Sequence, residues 1–151
     1  MAVECVIFVG LPASGKSTFY QQRFAGTHVH ISKDLWPKSA NKPSRQAREL
    51  EAALSAGRSL VLDNTSPTVA DRAVVIAAAR KHGARVIGYY FMATTREAVG
   101  RNRGREGAAR VPDVAVFTTA KRMIVPDRRE GFDELYQVAI AADGGFDVQP
   151  M

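Results

Sequence analysis

The run Gly10-Leu11-Pro12-Ala13-Ser14-Gly15-Lys16-Ser17, followed by Thr18, fits G-x-x-x-x-G-K-[ST], the spelling of a phosphate-binding P-loop. Gly10 and Gly15 permit backbone angles that a Cβ disfavours, so the N–H groups of the loop can turn inward around anionic oxygens. Lys16 supplies a mobile cation for β- and γ-phosphates, and the Ser17 hydroxyl can ligate Mg²⁺. Two carboxylates stand where such a loop needs them. Asp34 ends the apolar piece His28-Val29-His30-Ile31-Ser32, and Asp63 ends Ser59-Leu60-Val61-Leu62. An apolar run closing on an aspartate downstream of a P-loop is the pattern of a Walker-B carboxylate, so Asp63 joins Ser17 as an expected Mg²⁺ ligand. Asp34 falls at the C-terminal edge of its strand, where open α/β sheets hold their chemistry, although an aspartate there also serves as a turn cap. The segment Arg101-Asn102-Arg103-Gly104-Arg105-Glu106-Gly107-Ala108-Ala109-Arg110 holds four arginines and two glycines in ten residues. Glycine supplies hinges and arginine supplies forked donors for phosphate, which reads as a lid over residues 101–111 closing on a nucleotide. The expected nucleotide contacts are therefore Gly10, Pro12, Ala13, Ser14, Gly15, Lys16, Ser17 and Thr18 of the loop, with Arg101, Arg103 and Arg105 of the lid.

These side chains need strands and helices in a set order. The apolar, β-branched run Ala2–Val9 before the loop suits a buried parallel strand, and Phe19, Tyr20 and Phe24 follow at helical spacing. Ser44 is the expected N-cap of a helix through Ala56, and Ser66-Pro67 the expected start of a helix to about His82. Val86–Phe91 is a fourth strand. Thr94 and Glu97 form a capping box, and Pro112 opens a helix to about Arg122. Tyr136–Ala141 is a last strand, and 143–151 reads as a frayed tail. Alternating strands and helices argue for an α/β fold, a parallel sheet with helices on both faces. Trp36 either stacks on a base or packs at the rim of the core. Arg45 and Arg48 oppose the dipole of their helix, which hints at a nearby anion or marks a solvated face. His28 and His30 read as structural, since no metal partners accompany them.

At 151 residues the chain is read as one domain with a sizeable core. Hydrophobic residues at 46% and charged residues at 24% are the usual mix of a soluble globular protein, no apolar run is long enough to span a bilayer, and the lone Cys5 excludes an internal disulfide. The net charge of +6 favours anionic partners such as nucleotides or nucleic acid. No cationic stretch followed by an apolar one and a cleavage site opens the chain, so a cytoplasmic location without a membrane partner is expected. The oligomeric state is left open.

Taken together, Gly10 to Thr18, Ile31-Ser32-Lys33-Asp34, Val61-Leu62-Asp63-Asn64-Thr65, Asn102-Arg103-Gly104-Arg105-Glu106, Val111-Pro112 and Glu130-Gly131-Phe132 follow one another across roughly residues 3–140. In that order and spacing the chain resembles the kinase domain of polynucleotide 5′-hydroxyl kinases, within the P-loop NTPase superfamily. The resemblance implies a three-layer, adenylate-kinase-like fold, with five parallel strands and the P-loop strand central. It implies ATP as donor with Mg²⁺, and a nucleic acid 5′ end as acceptor. It makes Asp34 the general base and Arg105 the lid arginine that steadies the transferred group, with Arg103 assisting, and it matches Asp63 to the Walker-B carboxylate. Lys33 stands where the family has arginine, which loses bidentate geometry. Pro37 falls near the place of a basic residue that grips the acceptor's phosphate in some members, with Lys38 one place on. The phosphatase domain that often accompanies this kinase is not expected in these residues. The leading expectation is γ-phosphoryl transfer from ATP to an alcohol, foremost the 5′-hydroxyl of a polynucleotide. The alternatives are a sugar, nucleoside or antibiotic kinase on the same fold and a non-catalytic nucleotide-gated binding module.

Overall fold

A computed structural model describes residues 2–151. β1 (Glu4–Val9) leads through the P-loop into α1 (Lys16–Arg23). β2 (Val29–Ile31) and α2 (Lys42–Ser55) follow, then β3 (Leu60–Asp63), α3 (Val69–Lys81) and β4 (Arg85–Phe91). The chain closes with α4 (Thr95–Arg103), α5 (Asp113–Arg122), β5 (Glu134–Ile140) and β6 (Phe146–Pro150). Among the described residues the strands form one sheet in the order β2-β3-β1-β4-β5-β6. The first five run parallel, with the P-loop strand in the middle, as expected.

Alternation along β1 builds both layers of core. Cys5, Ile7 and Val9 pack with Leu50, Leu54, Val75 and Ile76 of α2 and α3, while Val6 and Phe8 pack with Phe19 and Tyr20 of α1. A third cluster, Leu11 with Ala98, Val99 and Val116, seats α4 and α5 against the loop. Burial pushes the Cys5 thiol up to about 12, so it stays protonated and inert. Trp36 is buried in the α2 cluster and Arg45 stacks on it at 4.7 Å, which resolves the tryptophan as core and gives that arginine an aromatic partner.

The tail expectation is overturned. Residues 146–150 form β6, antiparallel to β5, and the sheet has six strands rather than five. Gly144 turns at φ 86°, the Ala141 amide donates to the Gly145 carbonyl, and Phe146 and Val148 alternate inward, with Phe146 5.1 Å from the Phe19 ring. Two helix starts also differ. Asn41, not Ser44, caps α2 by accepting from the Ser44 amide, because Pro43 then falls in the first turn where its missing N–H costs nothing. Thr68 with Asp71, not Ser66-Pro67, starts α3 through a capping box. The Thr94–Glu97 box starts α4 as expected.

Candidate active site

The C-terminal ends of β1, β2 and β3 open onto a cavity of about 370 Å³ lined by Ala13, Lys16, Ser17, Asp34, Asp63 and Arg105, among others. The P-loop on its floor uses left-handed backbone at Ala13 (φ 63°) and Gly15 (φ 98°) to make its turn. The Gly10 amide donates to the Thr65 carbonyl at 3.1 Å and ties the loop to the segment after β3. Ser14 Oγ is buried and has no partner among the described residues. Lys16 Nζ donates to the carbonyls of Gly10 (3.1 Å) and Leu11 (2.7 Å). Loss of water around this buried ammonium lowers its pKa to about 8; Asp63 and Asp34 oppose the shift and Arg105 adds to it. Lys16 therefore feels the carboxylate after β2, the carboxylate after β3 and the Arg105 guanidinium together.

Ser17 Oγ donates to Asp63 Oδ2 at 2.9 Å, and His30 Nε2 lies 2.8 Å from the same oxygen. Asp63 is buried and His30 lies flat on the Tyr20 ring at 3.9 Å. Among the described residues no cluster of three or more metal-binding side chains exists. Mg²⁺ in phosphoryl-transfer sites takes one or two carboxylates plus substrate phosphates, so the hard oxygens of Ser17 and Asp63 fit that ion.

Asp34 sits in a short 3-10 turn, Lys33–Leu35, directly after β2. Its carboxylate is exposed, its amide donates to Ser32 Oγ, and the Lys33 amide donates to Asn64 Oδ1 at 3.0 Å. Asn64 Nδ2 in turn donates to Gln46 Oε1 at 2.6 Å, so α2 and the β3 loop hold the turn from both sides. In the last turn of α4, buried Asn102 bonds both ways across Val111, donating to its carbonyl and accepting from its amide, and closes residues 102–111 into a loop. Arg105 Nη1 donates to the Ala109 carbonyl inside that loop, at the cavity edge.

The structure thus brings Pro12, Ala13, Lys16, Ser17, Asp34, Asp63 and Arg105 to one cavity, with Gly10, Ser14 and Gly15 shaping the loop beneath. Thr18 is exposed on α1 outside the lining. Arg103 is turned to Asp113 at 3.1 Å, and Arg101 borders a separate cleft with Glu97 and Ile140; neither reaches the cavity. Sequence reasoning missed the tie of Asn64 to Gln46 and Lys33, and treated His30 as structural. No local signal reveals the His30 contact, because it depends on β2 and β3 pairing in register, His30 beside Val61.

The model of the AAA domain family matches residues 5–126. Among curated proteins, a putative bifunctional polynucleotide phosphatase/kinase of Acanthamoeba polyphaga mimivirus is 31% identical over 147 residues, covering 93% of this chain and 34% of that protein. The bifunctional polynucleotide phosphatase/kinase of Schizosaccharomyces pombe is 27% identical over 139 residues, covering 89% and 33%. The chain thus spans about a third of the length of these relatives. Among solved structures, Chaetomium thermophilum Kti12 in complex with ADP-AlF3 has a TM-score of 0.70 at 18% identity, covering 93% of this chain and 92% of that one. A gluconokinase from Sinorhizobium meliloti 1021 has 0.63 at 16%, covering 91% and 83%. These likenesses show a P-loop kinase fold. Among the described residues no helix is long and apolar enough to cross a membrane.

Proposed function

Because the chain belongs to the AAA domain family, matched over residues 5–126, and carries the P-loop kinase fold, we propose that it moves the γ-phosphoryl group of ATP to the 5′-hydroxyl end of a polynucleotide. The observation that carries this reading is the convergence of Asp34 and Arg105 on the cavity of Lys16.

Asp34 is the general base. It accepts the proton of the acceptor hydroxyl while the freed oxygen pair forms the new bond to phosphorus, and the bond from the γ-phosphorus to the β–γ bridging oxygen breaks, with ADP keeping that electron pair. Such a reaction asks for positioning and charge neutralisation more than covalent chemistry. Lys16 and the P-loop amides hold the β- and γ-phosphates, and Arg105 meets the charge on the transferred group. Ser17 and Asp63 would hold Mg²⁺, which neutralises charge on the β- and γ-oxygens when bound. Asp34 is exposed and lines the cavity, which suits an acceptor arriving from solvent. The names of the two curated relatives support a polynucleotide as that acceptor.

A sugar or other small alcohol is the second reading. It is favoured by Pro37 near the place where some members of the resembled family have a phosphate-gripping basic residue, with Lys38 one place on, and by the likeness to a gluconokinase. A panel of acceptors with γ-labelled ATP decides between them. Label on 5′-hydroxyl oligonucleotides, falling steeply with salt as phosphate contacts require, supports the polynucleotide. Label on a sugar or nucleoside and on no oligonucleotide overturns it.

A further inference from the structure

Arg72 is the largest side chain wholly buried in the described residues, and the chemistry above does not use it. It lies on α3 and spends its donors on two partners. Nε and Nη2 fork onto the Glu130 carboxylate at 2.8 and 3.0 Å, and Nη1 donates to the Ser66 carbonyl at 2.9 Å. Glu130 also accepts from the Asp127 amide at 2.9 Å, which fixes it in the turn before β5. The Ser66 backbone is strained: at φ 44° it is, with Ala13, one of two non-glycine residues in the left-handed region among the described residues. Both line the cavity, and backbone strain of this kind persists only where surroundings hold it.

The stretch Asp63-Asn64-Thr65-Ser66-Pro67 walls the cavity beside Asp34. Besides the side-chain ties of Asp63 and Asn64 described above, three contacts fasten the backbone carbonyls of its last three residues from outside. Thr65 carbonyl accepts from Gly10, Ser66 carbonyl from Arg72, and Pro67 carbonyl from Ile124 at 2.8 Å. Of these donors only Arg72 is a charged group buried away from solvent. A buried ion pair is weak evidence for stability, since well-packed apolar residues of similar volume replace such pairs at little cost. Its geometry here serves something else. We infer that Arg72, oriented by Glu130, is a positioning residue that holds the Ser66 turn and thereby sets the acceptor wall of the cavity.

This inference rests on the proposed acceptor side, so its test carries a readout that does not. The double variant Arg72→Met with Glu130→Leu removes both charges together and leaves Ser66 without its donor. Amide hydrogen exchange in the unliganded protein is followed at Gly10 and Ile124, whose partners lie on the wall. Both are expected to exchange at least tenfold faster, with central β1 amides unchanged. With a 5′-hydroxyl oligonucleotide, the acceptor KM is expected to rise about tenfold while the ATP KM stays within twofold. Wild-type exchange at both amides, or equal rises in the two KM values, overturns the assignment. If the wild-type protein labels no oligonucleotide, the proposed function fails and the exchange result still decides the clamp. If the double variant does not fold, Arg72→Lys replaces it. A lysine cannot fork onto Glu130 while reaching Ser66, so the same two amides are expected to loosen, and their unchanged protection would equally refute the clamp.

Discussion

Lys16 should make nucleotide binding depend on pH in a way the geometry specifies. In the free protein its ammonium is buried against the Gly10 and Leu11 carbonyls and loses its proton at about 8. Bound phosphates stabilise the ammonium and lift that pKa, so bound lysine keeps a proton that free lysine has lost. Between the two values binding takes up a proton, and affinity falls as pH rises. With a free pKa of about 8, about nine-tenths of a proton is taken up at pH 9 and affinity is about tenfold weaker than at pH 7. Titration of the phosphates themselves lies lower, near pH 6, outside this window. Calorimetry of ADP binding with chelator present, in two buffers of different ionisation enthalpy, reads the uptake directly. The variant Lys16→Met should bind more weakly and show no uptake. Binding by the wild-type protein with less than about a fifth of a proton taken up at pH 9 would refute the reasoning.

Three further outcomes follow from named contacts. Arg105→Ala should cut the transfer rate about 10³-fold or more while ADP binding changes little, since an arginine meeting transition-state charge acts after binding; single-turnover labelling checks it. Gly88→Ala should destabilise by about 1–3 kcal/mol in urea at unchanged m, because the added Cβ would meet Phe132 Cε1 at 2.6 Å and Leu135 Cδ1 at 2.7 Å in packed core. Phe146→Ala should cost about 2 kcal/mol, less than a full core phenylalanine because the ring is only half-buried, and a frayed tail would lose nothing.

Much of the site is legible because it is local. The P-loop states its geometry in its glycines, and Asp34 and Asp63 announce themselves as carboxylates ending apolar runs. The order of the five parallel strands goes with the central P-loop strand. What escapes is set by distant partners. Arg103 is drawn away from the cavity by Asp113 ten residues on, a pairing that depends on how α5 folds back along α4. His30 meets Asp63 only through strand register, and Arg72 meets Glu130 across 58 residues. β6 is a different case. Its signal was local, Asp143-Gly144-Gly145 followed by alternating Phe146 and Val148, but short terminal strands resemble loose ends until a partner strand is in place.

The most direct test is single-turnover phosphoryl transfer by Asp34→Asn beside ADP binding by the same variant. Asparagine keeps the size of the side chain and the turn bonds of residues 32–34, which run through backbone amides. With Asp34 as the base, transfer falls by about 10²–10⁴-fold and ADP affinity stays within twofold of wild type. Transfer at the wild-type rate would contradict the account and leave only a fold that holds a nucleotide.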